Sequence, residues 1–246
     1  PESARYDTLL NLPTGANLGA ALVTAMNAIE ADFPPLQGSL PKDYDRFDNK
    51  LLENLLRCFD TEALRTATGD VFGRIYEYFL MKFAMQGAQD NGEFFTPPSL
   101  VQTLVNVIEP DHGVVADLAC GSGGMFVQSA RFVAEHKKNP AAELSICGVE
   151  KVDETGRLAR LNLSIHGLEG DIRHGGNVNS YYDDPHSATG QFDFVMANPP
   201  FNVDKVDKER LKDMVGAGRR FPFGLPKTDN ANYLWIQLFY SALNDK

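Results

Sequence analysis

The chain has 246 residues, of which 43% are hydrophobic, so it can bury a real core and suits one domain with a smaller companion. A formal net charge of -10 argues against tight, unaided binding of DNA, because neutralisation of phosphates by Lys and Arg dominates such affinity. No apolar run approaches the ~18 residues of a membrane span, and the amino end, Pro1-Glu2-Ser3, lacks an initiator Met, a basic flank and an apolar leader, so the chain reads as soluble and cytoplasmic.

The three cysteines, Cys58, Cys120 and Cys147, are odd in number and widely spaced, which fits reduced thiols better than a disulfide frame or a zinc site, and no metal is expected. The charge is uneven. Residues 202–246 carry eight basic and six acidic side chains, whereas residues 1–99 and 100–201 are each net acidic. Any nucleic-acid substrate therefore needs most of its grip from another subunit or from sequence beyond these residues.

Residues 1–90 read as a helical domain. Ala20 to Ala31 is rich in Ala, Leu and Met; Asp48 to Phe59 spaces Leu51, Leu52, Leu55, Leu56 and Phe59 at helical intervals; Val71 to Met85 repeats the pattern with Phe72, Ile75, Tyr76, Phe79 and Phe83. These positions are expected to pack between helices. The pattern breaks at Gly92-Glu93-Phe94-Phe95-Thr96-Pro97-Pro98, after which Pro98 opens an amphipathic helix over Ser99 to Glu109. That loop reads either as a plain interdomain turn or as one whose Thr96 hydroxyl and backbone amides face a ligand at a helix amino end.

From Val114 the pattern becomes strand, tight turn, helix, giving an α/β domain over residues 91–246. Val114 to Cys120 is an apolar strand that ends at Gly121-Ser122-Gly123-Gly124, with Met125 to Glu135 as the following helix. Leu144 to Glu150 is a second strand with a carboxylate at its tip, placed to accept ribose hydroxyls, and Asp153 to His166 is its helix. Glu150 lies 29 residues after Gly121, and the turn lacks the G-x-G-x-x-G order, so a cofactor with one nucleoside and no pyrophosphate fits better than a nicotinamide dinucleotide. Asp117 then meets an ammonium or, in the plainer reading, caps the strand end.

Asp171 to His174 is a short third strand leading to Asn177, which lies beside a ligand's base edge if this strand neighbours the second; a turn asparagine is the commoner alternative. His166 and His174 read as surface or satisfied core residues. Gln191 to Ala197 is a fourth strand that delivers Asn198-Pro199-Pro200-Phe201, a rigid turn carrying two acceptors and an aromatic face where open α/β sheets bind ligands. Such a turn suits an amino group on a flat heterocycle. Asn202 to Asp229 follows, about 28 residues with Lys205, Lys208, Arg210, Lys212, Arg219 and Arg220, either a solvated loop or a substrate lid. A last helix, Asn230 to Leu243, buries Leu234, Trp235, Leu238 and Phe239.

Asp117 to Gly124, Glu150 and Asn198-Pro199-Pro200-Phe201, preceded by Phe94-Phe95-Thr96-Pro97-Pro98, resemble the N6-adenine DNA methyltransferases that use S-adenosylmethionine, and most closely the modification subunit of type I restriction-modification systems. The resemblance covers roughly residues 70–246. It implies a Rossmann-like methyltransferase sheet of seven strands, of which four are readable, so the chain looks truncated at both ends. By the family pattern Glu93 to Pro98, Asp117, Gly121, Ser122, Gly123, Gly124 and Glu150 bind the cofactor, Asn177 lies near its adenine, and Asn198, Pro199, Pro200 and Phe201 hold a flipped adenine. The implied partners are double-stranded DNA, a second modification subunit and a specificity subunit, with a restriction subunit as a further candidate. A protein glutamine, a guanine amino group in ribosomal RNA and a noncatalytic assembly role are the competing readings; a dehydrogenase leaves the Asn-Pro-Pro-Phe turn unexplained.

Overall fold

The structure, a computed structural model, describes residues 2–67, 70–87, 96–227 and 231–245. The chain divides into two compact units, Pro1–Tyr78 and Phe79–Lys246. The boundary expected between residues 90 and 91 lies outside the described residues.

The first unit holds α1 (Tyr6–Leu10), α2 (Leu18–Asp32), α3 (Asn49–Phe59) and α4 (Glu62–Arg65). Helix starts are set by side-chain caps that satisfy otherwise orphaned amides. Asn17 accepts from Ala20 N at 3.0 Å, and Asp48 accepts from Leu51 N at 2.8 Å. Asn49 then stitches α3 to the start of α2, accepting from Leu18 N at 3.1 Å and donating to Ala16 O at 2.8 Å. Leu9, Leu18, Leu22, Ala25 and Leu52 form the core of this unit.

The expectation that the aromatic positions of the amino-terminal helices pack between them is corrected at Phe59, and the leucines beside it divide. Leu52 is buried with Leu56 beside it, whereas Leu51, Leu55 and Phe59 are exposed. The two rows lie one residue apart, about 100° round the helix, so a run that looks like one face is two. The same correction applies to α5 (Val71–Gly87), where Phe72, Phe79 and Phe83 are exposed and Leu80 is buried.

In the second unit the element order is α6 (Pro98–Ile108), β1 (Gly113–Asp117), α7 (Gly124–Glu135), α8 (Pro140–Glu143), β2 (Leu144–Glu150), α9 (Asp153–Ile165), β3 (Gly170–His174), β4 (Phe194–Val195), α10 (Lys208–Leu211) and α11 (Asn232–Ala242). The strands form one parallel sheet in the order β3-β2-β1-β4. Alternation along β1 sends Val115 to one face and Ala116 to the other. Val115 joins Val101, Val105, Phe126, Val133 and Leu163 from α6, α7 and α9, while Ala116 joins Leu211, Phe221, Leu234, Trp235 and Leu238. Both faces are covered, as a parallel sheet requires.

The strands expected over 114–120 and 191–197 are shorter than read. β1 stops at Asp117, whose Oδ1 turns back to accept from Ala119 N at 2.9 Å. Upstream of β4, the amides of Gln191 and Phe192 bond Ala242 O at the end of α11 instead of a neighbouring strand. The segment after Phe201 is neither a free flap nor a fully solvated loop in its described part. Leu211 and Phe221 are wholly buried, and the buried Arg220 pairs with Asp184 at 2.6 Å. Among the described residues no helix is long and apolar enough to cross a membrane.

Candidate functional site

In the order β3-β2-β1-β4 the chain leaves β3, at one edge, and returns on the far side of β1, so the strand order reverses between β1 and β4. Ligands of open α/β sheets bind in the crevice that such a reversal opens at the strands' carboxyl ends. Asp117 closes β1 there, and Met196 N bonds Ala116 O at 3.0 Å, carrying the chain straight into Asn198. Asn198 Nδ2 donates to Thr96 Oγ1 at 3.1 Å, across 102 residues of sequence. That bond turns the amide's oxygen, an acceptor, away from Thr96. Pro200 is exposed, and Phe201 is 68% exposed, a bare aromatic face beside the crevice.

On the other side of β1, the glycine turn and the tip of β2 are built as one piece. Glu150 accepts from Gly121 N at 2.9 Å and from Val152 N at 2.8 Å, so two backbone amides fix the plane of its carboxylate. Gly121 (φ 53°) and Gly123 (φ 82°) take left-handed conformations that side chains resist. A Cβ at Gly121 or Gly124 meets nothing within 4 Å, so this backbone faces open space. From behind, the buried Asn162 donates to Ser122 O at 2.9 Å.

Asp117 is buried, and desolvation pushes its carboxyl up to about 7; the amide of Ala119 works against that rise and the charge of Glu150 adds to it. Cys120 beside it is raised well above the ordinary thiol range, chiefly by burial, which keeps it an apolar wall rather than a nucleophile.

β3 does neighbour β2, pairing His174 with Glu150, and Gly175 N bonds Glu150 O at 3.2 Å. Asn177 follows two residues later and is exposed. His174 bonds Asp153 at 3.0 Å and His166 bonds Asn162 O at 2.9 Å, both structural roles. Pro97 and Pro98 open α6 as expected, with Pro97 at the cap. Glu93, Phe94 and Phe95 lie outside the described residues. The structure thus gathers Thr96, Asp117, the glycine turn, Glu150 and Asn198 to Phe201 at the carboxyl edge of one sheet. Sequence reasoning missed Asn162, whose partner Ser122 lies 40 residues away, and the Thr96–Asn198 pair, 102 residues apart in the chain.

A model of the N-6 DNA methylase family matches residues 67–246. The chain belongs to that family. It is 37% identical to the type I restriction enzyme MjaIX methylase subunit of Methanocaldococcus jannaschii, over 100% of this chain and 45% of that protein. It is 35% identical to the HindI methylase subunit of Haemophilus influenzae, over 100% of this chain and 60% of that protein. The chain therefore spans about half the length of the curated relatives it matches. In fold it is similar to the type I restriction-modification methyltransferase subunit from Streptococcus thermophilus, with a TM-score of 0.77 at 20% identity, covering 99% of this chain and 54% of that one. A modification subunit from Vibrio vulnificus gives 0.59 at 24% identity, covering 96% and 46%. The fold likeness accounts for the sheet.

Proposed function

We propose that this chain is the cofactor- and base-binding part of an adenine-N6 DNA methyltransferase that works as the modification subunit of a type I restriction-modification complex. The observation that carries the reading is Asn198, oriented by Thr96 at the reversal of strand order, with Phe201 bare beside it. Family membership and two full-chain relatives named as methylase subunits support it.

The residues present fit S-adenosylmethionine. Open backbone at Gly121 and Gly124 admits an adenosyl group, the Glu150 carboxylate at the tip of β2 accepts ribose hydroxyls, and Asn177, three residues beyond the end of β3, is assigned to the base edge. Asp117, desolvated and adjoining Glu150, gains from a cationic amino group. Ser122, Gly123, Thr96, Pro97 and Pro98, together with Glu93, Phe94 and Phe95, are assigned cofactor roles as part of the same proposal. When bound, the cofactor supplies a methyl group made electrophilic by a sulfonium.

On the substrate side, Phe201 stacks on an adenine extruded from the duplex. Asn198 Oδ1 and the Pro199 carbonyl accept the two N6 hydrogens, which draws electron density onto that nitrogen and fixes its direction. Pro199 and Pro200, with φ locked by their rings, hold these acceptors still. Catalysis rests on alignment and electrostatics, since no His, Glu or Lys lies within the turn. Double-stranded DNA is the substrate, and a specificity subunit and a second modification subunit are the partners.

The test is labelled-methyl transfer from S-adenosylmethionine to DNA, RNA and protein side by side, using the complete subunit with its specificity partner. Label is expected in DNA adenine, and Asn198→Ala should lower the rate by about 10²-fold or more while cofactor binding persists. Transfer to protein or RNA alone, or near-normal adenine methylation by Asn198→Ala, overturns the assignment.

A further inference from the structure

We propose that Asn202 and Asn232 form a reciprocal amide clasp that positions the Asn198–Phe201 turn for capture of the extruded base, a proposal that rests on the reading of that turn given above. Asn202 directly follows Phe201 and sits in the left-handed region at φ 55°, a conformation that Asn tolerates better than most side chains. Its backbone N–H donates to Asn232 Oδ1 at 2.9 Å, and Asn232 Nδ2 donates back to Asn202 Oδ1 at 3.3 Å. One residue further along on each side, Ala231 N donates to Val203 O at 3.1 Å. The exit of the turn is thereby tied to the first turn of α11. That helix cannot shift easily, because Leu234, Trp235 and Leu238 anchor it in the core.

The entry of the turn is held separately, by Met196 N on Ala116 O and by Asn198 Nδ2 on Thr96 Oγ1. With both ends fixed, Phe201 between them has a set direction while remaining 68% exposed. The left-handed step at Asn202 sets the direction in which the chain leaves Phe201. The clasp is largely solvent-exposed, and water competes for exposed amide bonds, so it contributes little to global stability. A large effect on activity with no effect on folding is therefore the signature of positioning, and parallel losses are the signature of a plain structural contact.

Asn232→Ala is compared with Asn232→Asp, Asn202→Gly, Asn202→Ala and Asn198→Ala in the complete subunit bound to its specificity partner. The substrate is unmethylated genomic DNA with labelled S-adenosylmethionine; kcat, KM for DNA, calorimetric cofactor affinity and thermal midpoint are read for each. Asn232→Ala is expected to lower kcat by about tenfold or more with cofactor affinity and midpoint unchanged. Asn232→Asp, which keeps the acceptor for Asn202 N–H, restores most of that loss, and Asn202→Gly, free to be left-handed, outperforms Asn202→Ala. Wild-type kcat in Asn232→Ala, a parallel loss of midpoint and cofactor affinity, or an Asp variant no better than Ala overturns the clasp. If Asn198→Ala is inactive while Asn232→Ala is normal, only the clasp falls; if Asn198→Ala still methylates adenine, the reading of the turn itself falls.

Discussion

Asp117 serves the fold and, in the proposed function, the ligand as well. Its Oδ1 takes the amide of Ala119 and so ends β1 at the glycine turn, a job it does whether or not it is charged. Its carboxyl, pushed to about 7 by burial, stands well above the ordinary carboxylate value of 3.8. The folded chain therefore binds this proton more readily than the unfolded chain does. The contribution to stability is fully present below the ordinary carboxylate range and is lost as pH rises through about 7. Cofactor binding has the opposite sign, because an ammonium favours the ionised form. Affinity for S-adenosylmethionine should climb as pH rises from about 5 to 7, by at most about tenfold per unit, and level off above the pKa. Asp117→Asn, which keeps an oxygen for Ala119, should flatten that rise; calorimetric titration across this range checks it, and an unchanged slope in the Asn variant removes Asp117 from the cofactor site.

At the scale of elements, the strands that matter were legible because a buried parallel sheet writes short apolar runs into the chain, and the glycine turn and Glu150 mark where two of them end. Helices α7, α9 and α11 were legible from their period. Less readable was Asn202 to Phe221, whose interleaved charges resemble solvated loop while Leu211 and Phe221 sit wholly buried among Trp235, Leu234 and Leu238. Single apolar residues in a charged stretch carry no period, so their burial depends on tertiary contacts that sequence does not display. The hidden pairs at the site, Thr96 with Asn198 and Ser122 with Asn162, escaped for the same reason. If the segment is anchored as described, Leu211→Ala should destabilise the chain by about 2–5 kcal/mol, as large-to-small changes in a packed core do. Chemical denaturation measures this; a loss within about 0.5 kcal/mol, the surface norm, is the result expected of a free flap and would reject the anchoring.

Over the whole molecule, the acidic balance sets the terms on which DNA can be held. The basic excess is confined to residues 202–246, following the proposed base-binding turn, while the rest repels phosphate. The chain without partners should bind duplex DNA weakly and with little sequence preference, and a specificity subunit should raise both affinity and the steepness of its salt dependence. Fluorescence anisotropy of a labelled duplex over a salt series checks this, and tight site-selective binding by the chain alone near physiological salt contradicts it.

The sheet order also makes β1 a ruler. Its carboxyl end carries Asp117 and the glycine turn toward β2, and its other edge fixes where the strand before Asn198 must stop, through the pairing of Ala116 with Val195. In the proposed function the donor and acceptor halves of the site are thus measured from the same five residues, Gly113 to Asp117. A step of one residue in the β1–β4 register moves the acceptor by about 3.3 Å and turns alternate side chains to the opposite face. In the proposed reading the spacing between Asp193 and Asn198 is a dimension of the reaction as much as a length of chain, and an inserted or deleted residue there alters the reach of methyl transfer along with the packing of β4.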